Sequence, residues 1–243
     1  MSLFRSAYHD GDRLEIAGSP VRLKVHARAR RVSLRVDRAR REVIATAPSA
    51  RRLAEAAAFA RDRADWIAAR LGEIPPAEEL APGMTVELFG DPHLLTRDEG
   101  RARFVAADAW GPARIVVGEA AFGPAVVRLI KRHALERLTA LTRIHAEALG
   151  APMPKVLLGD PKGRWGSCKP PVGREPAVIR YSWRLALAPL AVADYVAAHE
   201  CGHLLELNHG PQFWAHVHGL VGSERPHRDW LREHGARLHA FGR

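Results

Sequence analysis

The segment His199-Glu200-Cys201-Gly202-His203 constrains this chain more than any other. Two imidazoles four residues apart share one face only on an α-helix, where such residues stack over a single turn. The pair can then hold one metal ion. Glu200, about 100° round the helix, can reach water on that ion without binding it. The surrounding run, 192–207, is apolar, so the predicted helix is buried. Asn208 and Gly210 flank His209, and both tolerate the left-handed backbone that ends a helix and turns the chain back. The spacing His-Glu-x-x-His-x5-His therefore offers His209 as third ligand, with Glu224 and Glu233 further on as rivals. Three protein ligands and one open position suit catalytic Zn²⁺. Such an ion brings the pKa of water down to about 7, and Glu200 would take that proton and return it to a leaving group. His216, His218, His227, His234 and His239 read as surface or packing residues. Cys201 points away from the histidine face and reads as a small buried thiol.

Before this motif the chain alternates between strand-like and helical patterns. Val21, Leu23 and Val25 alternate with Arg22 and Lys24, and Val32, Leu34 and Val36 with Ser33 and Arg35. Period-two alternation gives each strand one buried and one wet face. A third strand at 43–46 precedes a predicted helix over 51–71, with Ser49 near its start and Gly72 at its end. Pro75, Pro76, Pro82 and Gly83 punctuate a linker. A second β-rich stretch follows at 85–117, and Gly123-Pro124 opens a long helix to Leu149. Short strands are expected at 156–158 and 164–168, and a longer one over 177–187. No internal repeat or low-complexity segment stands out. The expected organisation is a basic β-rich region with a helix (1–74), a second β-rich segment (75–121) and a C-terminal domain (122–243), an α+β fold.

Composition narrows the setting. Two cysteines among 243 residues exclude a disulfide scaffold. No apolar run marks a signal peptide in 1–10, and none approaches the roughly 20 residues of a membrane helix. A cytoplasmic protein without membrane association is expected. The net charge of +10 is uneven. Residues 22–52 hold 11 basic residues against Asp37 and Glu42. Arg28, Arg30 and Arg31 form a candidate basic patch for nucleic acid or nucleotide. The competing reading is a GC-rich coding habit: 32 of the 37 basic residues are Arg, and no base-stacking aromatics interleave the run.

At this point the chain resembles the YgjP-like zinc metallopeptidases, relatives of SprT-like proteins. The resemblance rests on Arg164-Trp165-Gly166-Ser167-Cys168, Tyr181-Ser182-Trp183-Arg184-Leu185, Pro189, Asp194-Tyr195-Val196, the His199–His203 motif, Asn208-His209 and Phe213-Trp214. Arg31 to Val36 and Asp65-Trp66-Ile67 extend it toward the N-terminus. It implies a zincin-like catalytic domain: a helix carrying the histidine motif beneath a small sheet, with an edge strand along the cleft. It also implies His199, His203 and His209 as ligands of one Zn²⁺ and Glu200 as general base. Cys201 stands where Leu is common, and 169–176 is a longer, proline-bearing stretch. Metzincins share the histidine spacing but have Gly three residues after the second His, where this chain has Glu206.

The expected reaction is hydrolysis of a peptide bond in a protein or peptide substrate. Arg164, Tyr181 and Tyr195 are the candidate donors to the oxyanion. A strand near Trp183 could pair with an extended substrate, and Trp165, Trp183 and Trp214 could line the cleft. Three other readings compete: a zinc-dependent nucleoside triphosphate pyrophosphohydrolase, a nucleic-acid-associated protease, and a non-enzymatic basic module with structural zinc. Glu200 argues against the last, since a structural site needs no base. Oligomeric state stays open.

Overall fold

The period-two alternation of the first strands leaves one apolar face that must be covered, and the helices that follow cover it. A computed structural model describes residues 8–37, 40–74, 79–109, 111–118 and 121–242; the linker prolines at 75 and 76 lie outside them. The chain divides into two compact units, Met1–Pro76 and Ala77–Arg243.

In the first unit, β1 (Arg13–Ile16), β2 (Ser19–Val25), β3 (Ser33–Asp37) and β4 (Glu42–Ala47) form a sheet in the order β1-β2-β4-β3. The outer pairs are antiparallel and the central β2–β4 pair is parallel. Val21, Leu23, Val43 and Ala45 sit on the covered face. Two helices, α1 (Leu53–Asp62) and α2 (Ala64–Gly72), replace the single predicted one. Arg63 leaves helical geometry between them, at φ −112° and ψ 22°. Leu53, Ala56, Ala57 and Ala60 of α1 and Ile67 and Leu71 of α2 close this core.

The second unit begins by repeating the first. Its strands β5 (Thr85–Leu88), β6 (Asp91–Arg97), β7 (Arg103–Val105) and β8 (Arg114–Val117) take the order β5-β6-β8-β7. Again a parallel central pair is flanked by antiparallel ones, and again a helix follows, α3 (Phe122–Ala148). The first hairpins match turn for turn. Glu15-Ile16-Ala17-Gly18-Ser19-Pro20 corresponds to Glu87-Leu88-Phe89-Gly90-Asp91-Pro92. Glu15 pairs with Pro20 and Glu87 with Pro92. Both turns place a non-glycine residue and then Gly at positive φ: Ala17 48° and Gly18 72°, Phe89 53° and Gly90 95°. Such a pair defines the two-residue hairpin whose twist suits antiparallel strands. The expectation of no internal repeat is therefore corrected. Only Glu, Gly and Pro are identical across those two stretches, because a repeat held by twist and burial needs few shared side chains.

The rest of the second unit is β9 (Lys155–Gly159), β10 (Gly166–Lys169), β11 (Val178–Ser182), α4 (Leu190–Gly202), α5 (Pro211–Val221) and α6 (Arg225–Ala240). A 3-10 turn, Trp183–Leu187, joins β11 to α4. The small sheet runs β10-β11-β9, which leaves β10 at one edge. The fold is thus α+β, with small sheets and six α-helices among the described residues. Apolar residues of the second β-rich stretch pack with later elements. Leu88, Leu95 and Ile115 share one apolar cluster with Ile130, Tyr181, Val196 and Phe213. Among the described residues, no helix is long and apolar enough to cross a membrane.

Arg184 ties this unit together. Its side chain is 3% exposed. The guanidinium donates to Asp160 at 2.8 Å and to the carbonyls of Leu238 and Phe241 at 2.7 and 2.8 Å. Partial burial pushes the Asp160 carboxyl up, but hydrogen bonds from Arg184 and Lys162 outweigh it and bring it from 3.8 to about 2. A carboxylate with a depressed folded-state pKa adds stability above its unfolded value, and that stability disappears as pH falls through the folded value. Arg184→Leu is expected to cost about 3 kcal/mol in urea denaturation at pH 7, through the lost ion pair and unpaired carbonyls. Asp160→Asn is expected to destabilise at pH 7, with the difference from wild type closing as pH falls from about 4 toward 2.

Candidate metal centre and its cleft

Helix α4 is apolar on nearly every side, with Val192, Ala193, Val196, Ala197, Ala198 and Cys201 all buried. That is the pattern of a helix packed within a core rather than on it. Helix α3 grips it through polar contacts as well. His145 Nε2 lies 2.8 Å from Asp194, and the Cys201 thiol reaches the Thr142 carbonyl at 3.6 Å. The last turn of α4 is consequently fixed, and with it the direction of His199. His203 caps the helix.

His199, His203 and His209 converge, one nitrogen from each lying within 4.8 Å of the others. Among the described residues no other group of three or more ligand-type side chains gathers this way. Glu224 is instead 2.6 Å from His218, and Glu233 is exposed on α6; neither joins the triad. The His203 ring is oriented by its Nδ1, 3.0 Å from the Glu206 carbonyl, which leaves Nε2 as the free acceptor. His199 and His209 bring their Nε2 atoms to 3.1 Å. Two ligands of a tetrahedral zinc, each about 2.0–2.1 Å from the ion, would stand about 3.3 Å apart. Burial, then the neighbouring His203, His209 and Arg228, lowers the His199 pKa to about 4. Its Nδ1 is buried without a hydrogen-bond partner. The donor set therefore fits a zinc-type ion: three imidazoles close together, with the most buried of them held well below its usual pKa. Phe213 packs on all three rings, with centroids 4.9, 4.6 and 4.7 Å away.

Glu200 is 5% exposed and faces the first residue of β10. A Cβ built on Gly166 would fall within 2.4 Å of Glu200 Oε1 and 2.6 Å of its Cγ. Only glycine leaves room for the carboxylate there. Burial raises the Glu200 pKa to about 7, opposed by Arg164. A carboxyl group held near neutrality can both accept and deliver a proton.

A cavity of about 380 Å³ opens beside Glu200 and His199. Arg164, Trp165 and Gly166 form one wall, α4 contributes Tyr195 and Val196, and Arg228, Leu231 and Arg232 of α6 form the other wall. Arg184, holding both Asp160 and the end of α6, braces the two walls from behind. Of the sequence-predicted contacts, Arg164 and Tyr195 line the cavity. Tyr181 does not: it is fully buried, its hydroxyl 2.9 Å from Thr142 Oγ1. Trp183 also stays in the core, at the start of the 3-10 turn, with Arg184 stacked 4.4 Å from its ring centre. The sheet edge beside the cleft is accordingly β10 and not a strand at Trp183. Tyr181 faces the apolar cluster because β11 is the central strand, and Trp183 enters the same cluster because the chain leaves the sheet in a 3-10 turn at that residue. Trp214 packs 6.0 Å from the His199 and His209 rings. Arg28, Arg30 and Arg31 are exposed between β2 and β3, in the first unit.

Sequence reasoning missed Arg228 and Arg232. Their i, i+4 spacing beside Leu231 was the available signal. It also missed the reason for Gly166, which no one-dimensional pattern contains. Cys168 is half-buried, and burial holds its thiol up at about 11; Cys201 is raised to about 12 in the same way. His203→Ala is expected to weaken zinc affinity well over ten-fold in chelator competition, with Cys168→Ala unchanged.

Three comparisons bear on this geometry. Comparison with the curated proteins, and with the solved structures, gives no significant match. A family model described as the YgjP-like metallopeptidase domain matches residues 30–234. That span takes in part of the first unit and most of the second, with the histidine triad, Glu200 and both walls of the cleft. The chain therefore belongs to the YgjP-like metallopeptidase family.

Proposed function

We propose that this chain is a peptidase that hydrolyses internal peptide bonds with one zinc ion held by His199, His203 and His209 and with Glu200 as general base. One observation carries the reading: the Glu200 carboxylate lies against Gly166, the first residue of an edge strand, in the same cavity as His199. The ion, when bound, supplies Lewis acidity, acidifying water and polarising a carbonyl. The chain's own groups do the rest. Glu200 accepts the proton of the attacking water and passes it to the leaving amine. Its buried setting excludes bulk water from that transfer. The edge of β10 that no strand pairs with among the described residues offers backbone donors and acceptors to an extended peptide. Tyr195 and Arg164 line the cavity and are the candidates to meet the oxyanion; Arg228 joins them from α6.

A second reading, hydrolysis of a nucleoside triphosphate, has one observation in its favour. Arg164, Arg228 and Arg232 all line the cavity, and clustered guanidinium groups suit phosphate as well as carboxylate. The two are separated by presenting denatured protein and nucleoside triphosphates side by side to the same preparation. Glu200→Gln is expected to keep its zinc and lose about 10²–10⁴-fold in peptide hydrolysis. Turnover of triphosphate with intact denatured protein would favour the second reading instead. Gly166→Ala should lower kcat while zinc content stays at one ion per chain, since the added methyl displaces the carboxylate and not the triad.

A further inference from the structure

The first unit carries a groove that the catalytic reading does not use. It is about 510 Å³ and lies where β3 meets the α1–α2 corner. Val32 and Leu34 supply its strand side, and Phe59, Arg63 and Trp66 its helix side. Trp66 is 38% exposed, unusual for a large aromatic side chain in a folded domain. Arg63 lies 5.7 Å from the centre of the Phe59 ring, and Arg31 closes the rim. Among the described residues, no carboxylate lines the groove.

Its strand is a sheet edge. In the order β1-β2-β4-β3, only β4 pairs with β3 among the described residues. Alternate residues of such an edge turn their amide and carbonyl groups outward, ready for another strand. Ser33 and Arg35 are exposed, while Leu34 and Val36 are partly covered. The strand holds no proline, and its exposed charge, Arg35, is basic, which disfavours a basic incoming strand and suits an acidic one.

The repeat supplies an independent observation. In the second unit a groove of about 340 Å³ lies at the corresponding place, between the start of β7 and α3. Arg101 and Ala102 stand where Arg31 and Val32 stand in the first unit, two residues and one residue before the strand. Arg128 and Arg132 form its helix side. An arginine-rimmed groove beside the residues that lead into the corresponding strand thus occurs in both copies. Only the first copy keeps aromatic side chains in it.

We propose that the first groove binds an extended acidic peptide segment by strand addition to β3. The segment's backbone continues the sheet, an apolar side chain enters between Phe59 and Trp66, and flanking carboxylates pair with Arg31 and Arg63. The free strand edge favours a peptide over a nucleic acid, because a nucleotide chain has no backbone that completes a β-ladder. The proposal is independent of the catalytic reading, since no residue of the metal centre takes part.

The test uses the full chain carrying Glu200→Gln, so that the probe stays intact. Fluorescein-labelled Glu-Val-Glu-Leu-Glu-Val-Glu is titrated by anisotropy, beside its Lys-for-Glu counterpart, a version N-methylated at alternate residues, and labelled oligothymidylate. The acidic peptide should bind and quench Trp66, and the Lys peptide should not. N-methylation, Trp66→Ser and Arg63→Glu should each weaken binding by about ten-fold or more, and Arg132→Glu should leave it unchanged. Unfolding curves matching the parent chain show that the two exposed substitutions keep the fold. Equal binding of the N-methylated peptide, or equal binding by the Trp66→Ser and Arg63→Glu chains, overturns the proposal. So does tighter binding of oligothymidylate that is lost in the same two variants.

Discussion

A helix buried on almost every side must here carry two imidazoles and a carboxylate. That constraint on α4 organises the second unit. Apolar side chains around the helix hold it in the core, and the polar groups can be tolerated only where they emerge together. His199, His203 and Glu200 emerge at the C-terminal end, where α5 and the turn bearing His209 close over them. The same burial that makes Glu200 costly to ionise makes it a useful base. The lowered basicity of His199 keeps that ring neutral and available as a donor of its lone pair.

The cleft walls depend on contacts far from the metal centre. Gly166 brings β10 against Glu200. Trp165, the residue before it, stacks on His239 at 5.0 Å. Arg184 links Asp160 to the last turn of α6. These contacts tie the loop after β9 to the helix that carries Arg228 and Arg232. The Arg164–Cys168 and Trp183–Leu185 segments thereby acquire separate physical jobs. One borders the cleft, and the other braces it from the core side.

Much of this was legible in the sequence, for identifiable reasons. The pairing of His199 and His203 follows from helical spacing, but α4 ends at Gly202 rather than near 207, and the chain brings His209 back without the expected left-handed backbone at Asn208 or Gly210. Arg164 and Tyr195 sit beside motif residues, and the cleft receives them. Tyr181 and Trp183 also sit in family segments, yet both point into the core. Whether a strand is central or at an edge depends on pairing between distant segments, which no local pattern records. The repeat escaped for the same reason, since its copies share strand order, twist and a hairpin but few residues. The basic run in 22–52 lacked interleaved aromatics in one dimension. In three dimensions Phe59 and Trp66 of the helices come to stand beside Arg31.

The central claim is that three imidazoles form an open metal site. X-ray absorption at the zinc edge of the loaded protein tests it most directly. The account expects three nitrogen ligands of imidazole type at about 2.0–2.1 Å and one oxygen ligand. A sulfur ligand from Cys168 or Cys201, or a fourth protein ligand closing the site, would contradict it.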